Sequence, residues 1–303
     1  MKELYPMRGV ITTVNTPFNE DLTINWSDLH RTAEAALEAG VSGFLAPCFA
    51  SEIDELTNEE RYRMVTELLD VTHQAGHGIV MPNVRGKTKD DCVEQAKRYL
   101  DLGVDGVNIF MPTVTEESYR ELVAAVDDLH PPFLCLQDTK DNELRAPFVK
   151  SMFDEFESFR CIKIETANPG PDYTAILKAT DGRLNVSGSW GSDQMIEAFD
   201  RGIHALMPSG LFELFVNVYR LYHEKSREAA MKLFFDILPI IVFTRQSDSA
   251  NLSLHKRYFQ RLGLYTTTKF RAPFAVDAVQ AHYIEEMIDR ALYIRDHMDN
   301  YWK

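Results

Sequence analysis

The chain has 303 residues, 45% of them hydrophobic and 26% charged, the make-up of an ordinary globular protein. A net charge of −14 leaves no basic face for a phosphate backbone, so a nucleic-acid partner is not expected. The longest apolar stretch, Leu233 to Phe243, is interrupted by Asp236 and Pro239 and is too short to span a bilayer, which argues against a membrane partner.

In chain order, eight short apolar runs read as strands: Val10–Thr16, Gly43–Cys48, Ile79–Asn83, Gly106–Met111, Phe133–Gln137, Cys161–Glu165, Leu184–Gly188 and Ala205–Ser209. Helical patterns lie between them, at Trp26 to Glu38, Asp90 to Leu102, Ser118 to Leu129, Phe148 to Phe156 and Tyr173 to Ala179. Thr57-Asn58-Glu59-Glu60 is a capping box that opens another. Gly40, Gly103 and Gly202 each close an amphipathic segment just before an apolar run, as left-handed helix caps do. Repeated helix–glycine–strand units predict an α/β fold, a (β/α)8 TIM barrel. An open Rossmann-like sheet is the competitor, but no G-x-G-x-x-G follows the first strand. Beyond Phe215 the pattern is helical only: Val216 to Ser226, Glu228 to Phe243, Ser253 to Leu262 and Ala275 to Asp299. We therefore expect a barrel domain over 1–223 and a C-terminal helical extension over 224–303.

Cys48, Cys92, Cys135 and Cys161 show no C-x-x-C spacing, and three of them sit in strand-like runs. That usage suits free thiols in a reducing compartment rather than disulfides or zinc. Met1 to Pro6 lacks the apolar core of a signal peptide, so a cytoplasmic location is expected.

The residue with most to say is Lys163, inside the run Arg160-Cys161-Ile162-Lys163-Ile164-Glu165. A charged ammonium in a buried strand is costly unless it is paired or has a task. Burial pushes a lysine pKa down and frees its lone pair for attack on a carbonyl. Strand alternation puts Cys161, Lys163 and Glu165 on one face and Ile162 and Ile164 on the other. The aliphatic pair suits the seam with the outer helices, so the polar set is predicted to face the barrel axis. A lysine and a carboxylate at a barrel mouth make a nucleophile and an acid–base group; a structural Lys163–Glu165 ion pair is the plainer alternative.

A barrel carries its active site at the C-terminal ends of its strands. There the sequence places Ala50, Ser51 and Glu52, then Gln137, then Gly188 and Ser189, then Met207 and Ser209. No histidine falls at such an end, so no metal site is predicted. The glycines after the last two strands could cradle a phosphate, a weaker reading for an acidic chain.

Taken together, Gly9-Val10-Ile11 through Thr16-Pro17-Phe18, Ser51-Glu52 before Leu56-Thr57, Gly103-Val104-Asp105-Gly106, Ile162-Lys163, Ser187-Gly188 and the C-terminal helices resemble the dihydrodipicolinate synthase / N-acetylneuraminate lyase family of class I aldolases and dehydratases. The resemblance implies a lyase that forms a Schiff base at Lys163, needs no cofactor, and assembles as a homotetramer, a dimer of dimers. Three motifs depart from the family. Cys48-Phe49-Ala50-Ser51-Glu52 stands for G-T-T-G-E, Thr113-Val114 replaces the usual tyrosine pair, and Leu136-Gln137-Asp138-Thr139 replaces Y-N-x-P. The last, with Ile162-Lys163-Ile164-Glu165, looks like the subgroup of 2-keto-3-deoxy-pentonate dehydratases.

That resemblance implies Glu165 as acid–base and Gln137 as its assistant. It implies a 2-keto-3-deoxy sugar acid as substrate, with dehydration as the reaction. Retro-aldol release of pyruvate and a barrel that binds a keto acid without turnover stay open. Ala50 and Ser51 are expected at the substrate carboxylate. Gly188, Ser189 and Ser209 are expected at its hydroxyls, with Met207 beside them.

Overall fold

The computed structural model describes residues 2–110, 115–139, 144–189 and 192–303. Among the described residues nine parallel strands run β1 (Gly9–Thr13), β2 (Gly43–Leu45), β3 (Ile79–Met81), β4 (Asn83–Val84), β5 (Val107–Ile109), β6 (Leu134–Thr139), β7 (Phe159–Glu165), β8 (Asn185–Gly188) and β9 (Ala205–Leu206). Their order in the sheet is β3-β2-β1-β9-β8-β7-β6-β5-β4. β3 and β4 are two halves of one predicted strand, parted by Pro82. Proline has no N–H to give the ladder, yet the Pro82 carbonyl still accepts from Asn108 N at 2.9 Å. One half pairs β2 and the other pairs β5, which closes the ring. The predicted (β/α)8 barrel is the observed fold.

Helices α1 (Trp26–Ala39), α2 (Asn58–Ala75), α3 (Lys89–Asp101), α4 (Glu116–Asp127), α5 (Ala146–Glu155), α6 (Pro169–Ala179), α7 (Met195–Asp200) and α8 (Phe212–Arg220) surround it. The glycine caps are where expected: Gly40, Gly103 and Gly202 have φ of 100°, 88° and 88°. Thr57 and Glu60 form the reciprocal capping box of α2, at 2.9 and 3.2 Å. The helix predicted from Val216 begins earlier, at Phe212, and ends in a π turn over Leu221–Lys225.

Strand alternation separates two cores. Phe44, Val107, Ile109, Ile162 and Ile164 join the helices in the outer one. Ile11, Leu45, Met81, Cys135, Cys161 and Met207 fill the barrel interior. Then come α9 (Arg227–Thr244), α10 (Asp248–Arg261), α11 (Ala278–Asp296) and α12 (Asp299–Trp302). Leu252 of α10 packs into the interior cluster, and the His255 ring lies against Gly210 beyond β9. α10 thus reaches the end of the barrel where the strands finish. Among the described residues no helix is long and apolar enough to cross a membrane.

Candidate active site

Lys163 and Glu165 face the axis from β7, as alternation requires, because their strand neighbour Cys161 belongs to the interior cluster while Ile162 and Ile164 belong to the outer one. Lys163 is 5% exposed. Its Nζ lies 3.2 Å from Glu165 Oε2. Two buried thiols, Cys135 and Cys48, lie within reach of its charge. Cys135 is pushed up to about 12 by burial, with the Lys163 charge opposing. Cys48 is also raised by burial, and Lys163 again pulls against the shift. These buried sulfurs bring no carboxylate to the amine, whose hydrogen-bond partner is Glu165.

Gln137 comes from β6, in register with Lys163. Its Nε2 donates to Glu165 Oε2 at 2.5 Å. Sequence reasoning missed what stands behind it. Asn108 Nδ2 donates to Gln137 Oε1 at 3.0 Å and to Asn83 Oδ1 at 2.5 Å. The signal was available: Asn108 sits between Val107 and Ile109 in an apolar run, the same anomaly that singled out Lys163.

The other predicted residues ring the same end of the barrel. After β2 the chain makes a tight turn over Phe49–Ser51. Ser51 Oγ donates to Val14 O at 2.6 Å and accepts from Cys48 N at 3.1 Å, and Ser51 N donates to Cys48 O at 2.9 Å. The Ser51 hydroxyl therefore builds the turn. Ala50 presents its carbonyl to Asn15 Nδ2 at 3.0 Å. Ser189 Oγ donates to Met207 O at 3.5 Å, and Met207 N donates to Gly188 O at 2.8 Å. Ser209 Oγ lies 2.6 Å from Thr13 Oγ1, a partner sequence reasoning did not name. Gly188 turns its bare side outward: a Cβ there would meet Tyr173 Oη of α6 at 2.8 Å. That tyrosine is raised by burial, against a hydrogen bond from Gln194. Thr113 and Val114 lie outside the described residues, as do Trp190 and Gly191. Among the described residues no three His, Cys, Asp or Glu side chains converge in a way that could hold a metal.

Glu52, the glutamate of the Ser51-Glu52 motif, is buried and held by the C-terminal segment. Its Oε1 accepts from Lys256 Nζ of α10 at 2.7 Å, and its Oε2 accepts from Arg271 N and Ala272 N at 2.9 Å. It ties the turn to the C-terminal segment. Phe49 stands 45% exposed at the rim, its ring 6.4 Å from that of Phe274.

The model of the dihydrodipicolinate synthetase family matches residues 6–129. The N-terminal two fifths of the chain thus carry that family's pattern. The match carries β1 through α4, including the Phe49–Ser51 turn, and ends before β7. A DapA-like lyase of Halobacterium salinarum is 26% identical over 236 residues, 74% of this chain and 75% of its own. The L-2-keto-3-deoxyarabonate dehydratase of Azospirillum brasilense is 24% identical over 197 residues, 62% of each chain. Among solved structures, the dihydrodipicolinate synthase of Rhodopseudomonas palustris superposes with a TM-score of 0.86, at 21% identity over 96% of this chain and all of its own. That likeness is one of fold.

Proposed function

We propose that this chain is a class I, Schiff-base-forming lyase of the dihydrodipicolinate synthetase family and a dehydratase acting on a 2-keto-3-deoxy sugar acid, with Lys163 as nucleophile, Glu165 as acid–base and Gln137 as the group that holds Glu165. The single observation carrying the reading is the buried lysine with one carboxylate 3.2 Å away and that carboxylate held by an amide at 2.5 Å. The similarity to the Azospirillum dehydratase supports the substrate class.

The Lys163 amine, once its proton has passed to Glu165 or solvent, adds to the C2 carbonyl and loses water to form an iminium. The iminium acidifies the C3 protons. Glu165 takes one, and the electron pair moves to give an enamine. The enamine expels the C4 hydroxyl as water, with the proton returned from Glu165. Water then hydrolyses the iminium, frees Lys163 and releases the dehydrated keto acid. Retro-aldol cleavage would need a base for the C4 hydroxyl instead. The Phe49–Ser51 turn is the place for the substrate carboxylate, through the Ala50 backbone with Ser51 shaping the turn. Ser189, Met207 and Ser209 line the path of the sugar hydroxyls beside Gly188.

We keep the division of the chain at 223/224, a homotetrameric assembly and a cytoplasmic location as parts of this reading; the four buried cysteines, none in a disulfide, favour a reducing compartment. Borohydride with pyruvate should fix a mass adduct on Lys163. A panel of 2-keto-3-deoxy acids should then yield semialdehyde rather than pyruvate. No adduct ends the covalent mechanism, and pyruvate release turns the reading to an aldolase.

A further inference from the structure

Behind Gln137 lies a row of buried amides, and their direction is not arbitrary. Glu165 as a carboxylate can only accept, so Gln137 must present its NH2 to it, and its Oε1 must then face a donor. Asn108 is that donor, with Nδ2 3.0 Å from Gln137 Oε1. The same Nδ2 is 2.5 Å from Asn83 Oδ1, while Asn108 Oδ1 has no partner among the described residues. Turned over, the Asn108 amide would set oxygen against oxygen at both contacts. Asn83 thus orients Asn108, Asn108 orients Gln137, and Gln137 orients Glu165. Asn108 is completely buried and Asn83 nearly so. An amide between Val107 and Ile109 costs burial free energy that an aliphatic residue would not, which is unaccounted for by packing alone.

We propose that Asn108 is a positioning residue: it fixes the Gln137 amide so that the Glu165 carboxylate is aimed at the C3 proton of the Schiff-base intermediate. The inference rests on the reading of Glu165 as the C3 base. Asn108 does not touch the substrate and acts only through Gln137.

Pyruvate in D2O tests this without knowledge of the natural substrate, because its methyl group occupies the C3 position. The wild-type chain should exchange the methyl protons for deuterium, followed by NMR, and should trap pyruvate on Lys163 with borohydride. Asn108→Asp keeps the shape but removes the donor. It should trap pyruvate normally and exchange about 100-fold more slowly, the size of effect that a misaimed group produces. Asn83→Asp keeps an acceptor at its position and should exchange near the wild-type rate; a merely structural amide cluster would suffer equally from either change. In a Gln137→Ala background, Asn108→Asp should add no further loss. Asn108→Ala serves for the same comparison should the aspartate not fold, with trapping as the sign of an intact barrel. Normal exchange in the Asn108 variants, or losses that multiply in the double variant, overturn the inference. A wild-type chain that neither traps nor exchanges overturns the parent reading of Lys163 and Glu165 instead.

Discussion

Lys163 Nζ and Glu165 Oε2 meet at 3.2 Å from positions two apart on one strand. Only extended backbone brings i and i+2 side chains to one face, so the pair exists because β7 runs through Glu165. The contact separates two tasks, covalent capture and proton transfer. Glu165→Gln keeps the shape and a hydrogen-bonding side chain but cannot take a proton. It should still trap pyruvate on Lys163 and should lose turnover by about 10²–10⁴-fold. Mass spectrometry of the reduced adduct beside kcat measures both. Unchanged turnover would remove Glu165 from the mechanism.

The barrel was legible because its signals are local. Gly40, Gly103 and Gly202 need positive φ to end helices, and only a glycine does that without strain. The face of Lys163 was legible because β periodicity is 2 and the aliphatic pair Ile162 and Ile164 marked the outside. Asn108 was not, and Gln137 was joined to Glu165 only through the resemblance: Asn108, Gln137 and Glu165 come from three different strands, and only lateral register brings them together. Glu52 shows the same limit. Its place beside Ser51 put it at the mouth in sequence, but its left-handed backbone, φ 56°, swings it towards α10 and the segment near Arg271.

Gly188 is required by its neighbour rather than by a turn. A Cβ would stand 2.8 Å from Tyr173 Oη and 3.1 Å from Leu206 Cδ2. Gly188→Ala should therefore destabilise the fold by about 1–3 kcal/mol, the usual cost of overpacking. The nearest obstacle is a single hydroxyl. Adding Tyr173→Phe should recover part of the loss, although Tyr173→Phe alone sacrifices the hydrogen bond from Gln194 at 3.2 Å. Chemical denaturation of the four proteins gives the coupling. Strictly additive effects would mean the clash is relieved elsewhere.

Lys256 and Glu52 form an ion pair with side chains 1% and 0% exposed. The ammonium also donates to Lys269 O at 2.7 Å and sits 4.2 Å from the centre of the Phe270 ring. A buried pair contributes little net stability, but breaking it strands a charge. Lys256→Met should cost about 3–5 kcal/mol, because Glu52 keeps only the Arg271 and Ala272 N–H groups. Glu52→Gln added to Lys256→Met removes the stranded charge and should restore much of that. Denaturation midpoints decide it; a double variant worse than the single would show that the carboxylate is satisfied without its lysine.

The same pair makes stability depend on pH in a definite direction. Burial foremost lowers the Lys256 pKa from 10.5 to about 8, with the Glu52 charge and hydrogen bond pushing the other way. Between those two values the folded chain has lost a proton that the unfolded chain still holds. Stability rises with pH wherever the unfolded state binds more protons. This lysine therefore weighs against folding below pH 8, and its unfavourable contribution is relieved as pH climbs from about 8 towards 10.5. Other groups titrate in that window, so the comparison must be differential. The wild-type unfolding free energy, plotted against pH, should rise relative to that of the Glu52→Gln/Lys256→Met double variant across pH 8 to 10.5. Parallel curves would mean that Lys256 keeps its proton throughout, and that Glu52 holds the ammonium more strongly than burial opposes it.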